Sequence, residues 1–219
     1  MDQWVVFGFG HYLSDVLDAI HANKGRVKAI VNNIDPTKEQ LEDLKRRVAL
    51  LGYKVPIVDL RNFRPQETEK YCYGFINGRD ELIPHLKQTY KIEFSNLIHP
   101  TAYLGSNVAC GEGICVGPHA VVAPNCMIGN FCIINRASSI GHDTVLGNYS
   151  TVNPGVSVAG MVKIGTRTTL GIGAIIVNDV SIGDNSVVGA GSVVLHDVPD
   201  GVVVIGNPAK FLRRNEQIQ

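Results

Sequence analysis

The sequence predicts two units of different architecture: a small α/β layer over residues 1–94, then a three-sided column of stacked parallel strands over residues 95–219. Three observations carry this. The first part alternates β-branched runs with helical-period segments, the pattern of parallel strands joined by crossover helices. From Ile98 an apolar residue recurs at every sixth position, through Leu104, Cys110, Val116 and Val122 to Val194, without a slip. Small or β-branched residues such as Ala120, Ser138, Thr144 and Ala174 stand four positions after the apolar ones.

The elements follow in order. WVVFGFG (residues 4–10) is a short apolar strand run that ends in glycines. Residues 12–25 place Leu13, Val16, Leu17 and Ile20 at helical spacing and close on Gly25. RVKAIVNN (residues 26–33) is β-branched and strand-like, and residues 36–52 form a charged helix candidate. KVPIVDL (residues 54–60) and YCYGFI (residues 71–76) are strand candidates, and a last helix covers residues 80–90. Beyond Ile98 the period of six fits a triangular prism of short strands. One apolar side chain per face points inward, a small residue packs beside it, and the glycine that usually follows the apolar residue is expected to carry the corner turn. Three faces make a coil of about eighteen residues, with coils about 4.8 Å apart. Cys110, Cys126 and Cys132 fall on inward or small positions and are expected to be buried packing residues.

Twenty basic side chains balance twenty acidic ones. No basic block therefore offers nucleic acid or an anionic membrane an electrostatic footing. The apolar runs are too short and too glycine-broken to span a bilayer, and the first residues do not read as a signal peptide. Five cysteines without a CxxC pair fit a reducing compartment, so a cytoplasmic location is expected.

Chemistry concentrates at IGHDTV (residues 140–145), where His142 and Asp143 stand at outward or corner positions of their hexad. A solvated surface histidine is the ordinary reading. The adjacent carboxylate argues for more, because it can bias the imidazole tautomer and strengthen the ring as a base. A metal site is not expected. His142 and His196 share a column three coils apart, roughly 14 Å, whereas zinc takes its nitrogens at about 2 Å. In the first unit GFGH (residues 8–11) joins a strand to its helix, where glycines permit a tight turn and phosphates can meet a helix N-terminus.

The segments NRASSIGHDTVLGNYSTVNP (residues 135–154), SVAGMVKIG (157–165), LGIGAIIVNDVSIGDNSVVGAGSVV (170–194) and DVPDGVVVIGNPAK (197–210) resemble the hexapeptide-repeat acyltransferases. Within them the resemblance is to bacterial sugar acetyltransferases that join a small nucleotide-sugar-binding domain to a left-handed parallel β-helix. These include the bacillosamine and perosamine N-acetyltransferases and the sialic acid O-acetyltransferases. The resemblance implies a Rossmann-like first domain, a left-handed prism, and His142 as general base with Asp143 increasing its basicity. It implies coenzyme contacts at Thr151, Gly160, Gly173 and Lys210, with Thr151 standing where most of the family has a second histidine. Substrate contacts map to Gly8, Gly10, His11, Asn32, Asn33 and Asn77. Here the chain departs from the family: Leu13 replaces a common lysine, and Asn32-Asn33 replace paired aspartates.

The function so implied is acetyl-CoA-dependent N-acetylation of a nucleotide-linked amino sugar, of the 4-amino-4,6-dideoxy class, in surface-polysaccharide synthesis, by a homotrimer without metal. O-acetylation of a sugar is the alternative, since one base serves either nucleophile. A catalytically silent scaffold or ligand sensor is the alternative of another class.

Overall fold

The structure is a computed structural model, and it describes residues 1–8, 10–32, 36–49 and 51–216. It divides into two compact units, Met1–Leu97 and Ile98 onward.

The first unit runs β1 (Gln3–Phe7), α1 (Leu13–Ala22), β2 (Arg26–Asn32), α2 (Lys38–Ala49), β3 (Ile57–Asp59), β4 (Glu69–Tyr73) and α3 (Arg79–Tyr90). The sheet order is β3-β2-β1-β4, all parallel, with Gln3 opposite both Arg26 and Glu69. Val5, Val6 and Phe7 are fully buried, as expected of a central strand covered on both faces. The helical stripe read from the sequence is the buried one: Leu13, Val16, Leu17 and Ile20 of α1 all face the core. Strand β4 starts two residues before YCYGFI and stops at Tyr73, where the chain turns away through Gly74. The order reverses at β1, which has β2 on one side and β4 on the other. A crevice therefore opens beyond the carboxyl ends of β1 and β4, the place where open α/β sheets take ligands.

In the second unit two-residue strands stack in three parallel sheets with partners eighteen residues apart. Ser139–Ile140, for example, pairs with Val121–Val122 below and Ser157–Val158 above. The inward column is dry and continuous, from Val116 and Val122 through Ile134, Ile140 and Leu146 to Val188 and Val194. Each such side chain contributes about 1.5–3 kcal/mol of burial. This is the left-handed parallel β-helix fold that the resemblance implied. A hairpin, Val202–Ile205 with Lys210–Arg214, follows the last coil.

Two expectations are corrected. The corner turn is not carried by the glycine after the apolar residue. It is carried two positions later, by Asn107, His119, Asn125, Ala137, Asp143, Tyr149, Met161 and their equivalents, all with φ between 53° and 68°. The earlier glycines answer to close packing between coils. A Cβ on Gly141 would lie 2.3 Å from the carbonyl carbon of Ala159, one coil above. Cys126 and Cys132 are buried as expected, but Cys110 is exposed. Its strand, Ala109–Cys110, ends its sheet, so the inward position there has no strand beneath it.

Candidate active site

His142 follows the strand Ser139–Ile140 and Asp143 precedes Val145–Leu146, so the pair forms one corner of the prism. Asp143 takes the left-handed conformation, φ 56°, which Asp tolerates better than most side chains. The turn is pinned from both sides. The Asp143 amide donates to Pro124 in the coil below, and the Met161 amide above donates to the His142 carbonyl. Beneath it, the buried Cys126 thiol donates to the Gly141 carbonyl at 3.1 Å.

The turn brings the Asp143 carboxylate back onto the ring, with Oδ2 2.7 Å from His142 Nδ1. A carboxylate accepts, so the imidazole proton sits on Nδ1 and the Nε2 lone pair is free. Both side chains are exposed, His142 by 58%. Gly160 lies directly above. A Cβ there would come within 2.7 Å of both Cε1 and Nε2 of His142, so the absent side chain is the space the ring occupies. Among the described residues the Gly160 N–H has no backbone acceptor.

The sequence holds a second His-Asp dipeptide in the same column, His196-Asp197, and the structure separates the two. Asp197 is not in the left-handed conformation, and its carboxylate accepts the Ser181 amide at 2.7 Å instead of meeting its histidine. Backbone conformation, not dipeptide identity, makes His142-Asp143 a dyad.

Of the expected coenzyme contacts, Gly160 lies at this corner and the other three lie elsewhere in the unit. Thr151 is 4% exposed and lies on the third sheet, between Ile133–Ile134 and Thr169–Leu170, with no open surface for a ligand. Gly173 occupies a different corner, between Thr169–Leu170 and Ile175–Ile176, where its φ of 66° explains the glycine. Lys210 is exposed in the last strand. Among the described residues no cluster of three His, Cys, Asp or Glu side chains could hold a metal.

A second constellation belongs to the first unit. Gly8, Gly10, His11 and Asn77, from the ends of β1 and β4, line a cavity of about 740 Å³ at the sheet's switch point. Sequence reading missed most of its other wall, Gln40, Asp43 and Arg47 from α2 and Glu81, Leu82 and His85 from α3. Most of these positions are polar, and nothing in the sequence sets them apart from ordinary helix faces. Asn32 is buried at the end of β2 and is not among the described residues that line the cavity. Asn33 lies outside the described residues.

The family model for the bacterial transferase hexapeptide (six repeats) matches residues 161–196. No curated protein matches significantly. Solved structures match along nearly the whole chain. The perosamine N-acetyltransferase of Caulobacter crescentus, in a histidine-to-asparagine variant with CoA and GDP-perosamine, is 31% identical, with 97% of each chain covered and a TM-score of 0.82. The acetyltransferase domain of PglB from Neisseria gonorrhoeae FA1090, with acetyl coenzyme A, is 27% identical over 96% of this chain and 98% of that one, TM-score 0.81. WeeI from Acinetobacter baumannii AYE shares the fold, with 24% identity over 97% of this chain and 100% of that one and a TM-score of 0.81. A β-helix built on an unbroken hexad register, joined to a parallel α/β unit and matched end to end at this identity, decides the family: the chain is an acyltransferase and belongs to the hexapeptide-repeat sugar acetyltransferases.

Proposed function

We propose that the protein transfers the acetyl group of acetyl-CoA to the amine of a nucleotide-linked amino sugar, of the 4-amino-4,6-dideoxy class, in surface-polysaccharide synthesis. One observation carries this: an exposed imidazole whose Nδ1 is held by Asp143 at 2.7 Å and whose Nε2 side rests over Gly160. The ligands of the solved neighbours support the substrates, CoA and GDP-perosamine in one and acetyl coenzyme A in another.

Acetyl-CoA supplies an activated thioester carbonyl. The residues at the corner fit such a group, because the ring beneath Gly160 is exposed and the Gly160 N–H, which has no backbone acceptor among the described residues, lies beside the base. His142 Nε2 takes a proton from the sugar amine as its nitrogen bonds to the carbonyl carbon. The Gly160 N–H donates to the carbonyl oxygen as that oxygen gains charge. The imidazolium then returns its proton to the sulfur as the C–S bond breaks, leaving the amide and the free thiol. The nucleotide is held in the first unit, in the cavity lined by Gly8, Gly10, His11 and Asn77. A side chain 58% exposed is not shielded from water by one prism, which supports a neighbouring copy walling the site, and the family resemblance implies that the working form is a homotrimer.

The test is CoA release with acetyl-CoA and a panel of nucleotide-linked 4-amino sugars, with the product characterised by mass spectrometry. His142→Ala is expected to lower kcat about 10²–10⁴-fold while acetyl-CoA still binds. Wild-type turnover in that variant would end the base assignment. A product cleaved by hydroxylamine would be an ester and would move the reading to O-acetylation.

A further inference from the structure

Among the described residues that line the cavity of the first unit, Arg47 is the one permanently charged cation. It comes from the last turn of α2, not from the glycine turn that sequence patterns single out. Its side chain is 20% exposed and firmly seated. Nε donates to Asp43 Oδ2 at 2.7 Å, one turn earlier in the same helix. The far end of the guanidinium crosses to the glycine turn, with NH1 3.4 Å from the His11 carbonyl and 3.3 Å from Ser14 Oγ. NH2 stands 3.3 Å from His11 Nδ1. A guanidinium only donates, so Nδ1 accepts and the His11 proton is on Nε2, making that nitrogen a donor as well. Asp43 is itself engaged by both Arg46 and Arg47, whose hydrogen bonds hold its carboxyl below the usual range. The remaining acid of the lining, Glu81, comes from α3.

A cationic fork and a neutral imidazole donor thus stand side by side at the turn between β1 and α1. Nε, NH1 and one N–H of NH2 already have protein acceptors, so the guanidinium meets a phosphate oxygen through its charge and the remaining N–H of NH2. We infer that Arg47, positioned by Asp43 and working with His11, anchors the diphosphate of the nucleotide-linked substrate and is the main electrostatic determinant of its binding. This rests on the reading that the first unit holds the nucleotide. It adds the residue responsible and the part of the ligand it grips.

Calorimetric titration of the full chain with GDP, UDP and dTDP, and with the matching nucleosides, tests it. Arg47→Met is expected to weaken the preferred diphosphate at least tenfold and its nucleoside less than twofold, and Arg47→Lys to fall between Met and the wild type. Equal binding by Arg47→Met and wild type would overturn the inference alone. So would parallel losses of diphosphate and nucleoside, or a lysine variant no better than methionine, because each would make the effect one of shape and not of charge. No binding of any diphosphate by the wild type would overturn the nucleotide reading of this unit and the inference with it.

Discussion

The geometry of the dyad depends on the backbone of two residues beside the imidazole. Asp143 must adopt a left-handed backbone to face its neighbour, and Gly160 must lack a Cβ for the ring to lie where it does. Gly160→Ala is therefore expected to push the imidazole off its seat. Steady-state kinetics should show kcat falling at least tenfold, on the order of the loss from a displaced general base. The melting temperature should stay within a few degrees, because the clash is with an exposed side chain that can swing outward. Unchanged kcat would mean that the ring works from another rotamer. The sequence offered His142-Asp143 and Gly160 by resemblance, but not the reason the glycine is needed. That reason is the contact between ring and glycine across one coil, which requires the backbone trace.

At the scale of single coils, the hexad register translates into structure almost position by position. Ile134 is fully buried with coils on both sides. Ile134→Ala should cost about 2–5 kcal/mol in chemical denaturation. Cys110→Ala, at the open end of its sheet, should change stability by less than about 0.5 kcal/mol. Matching losses would contradict the stacked order. Prism strands were legible because a period of six leaves one apolar side chain per face. Corners were misread because sequence shows where glycine is common, not whether φ or crowding demands it. In the first unit the α1 stripe and the glycine turn were legible. Arg47 and His85 were not, since a cavity wall made of two helix faces has no local signature in either helix.

For the molecule as a whole, acid acts on the first unit through a buried carboxylate. Burial works against the charge of Glu69, but hydrogen bonds from Lys28, Tyr71 and the Gln66 amide outweigh it and hold the carboxyl below the usual glutamate range. A carboxylate with a depressed folded pKa stabilises the fold above its unfolded pKa and loses that contribution as pH falls through the folded one. Trp4, the only tryptophan, is buried in this unit and reports on it. Its fluorescence midpoint in urea should fall as the pH drops below the usual glutamate range, and Glu69→Gln should flatten that dependence. An equal slope in both proteins would exclude Glu69 as its source. In the second unit, the corner that carries the dyad has counterparts two coils higher, where Asn178 Nδ2 donates to Asp179 Oδ2 at 2.6 Å with Asp179 at φ 62°. An acid cradle is thus a recurring vacancy along the rod, and a histidine placed at position 178 would find one ready. Headroom does not recur: eighteen residues above Asn178 stands His196, and only above His142 is there a glycine. What fixes the altitude of the exposed histidine-aspartate pair on this rod is a missing methyl group.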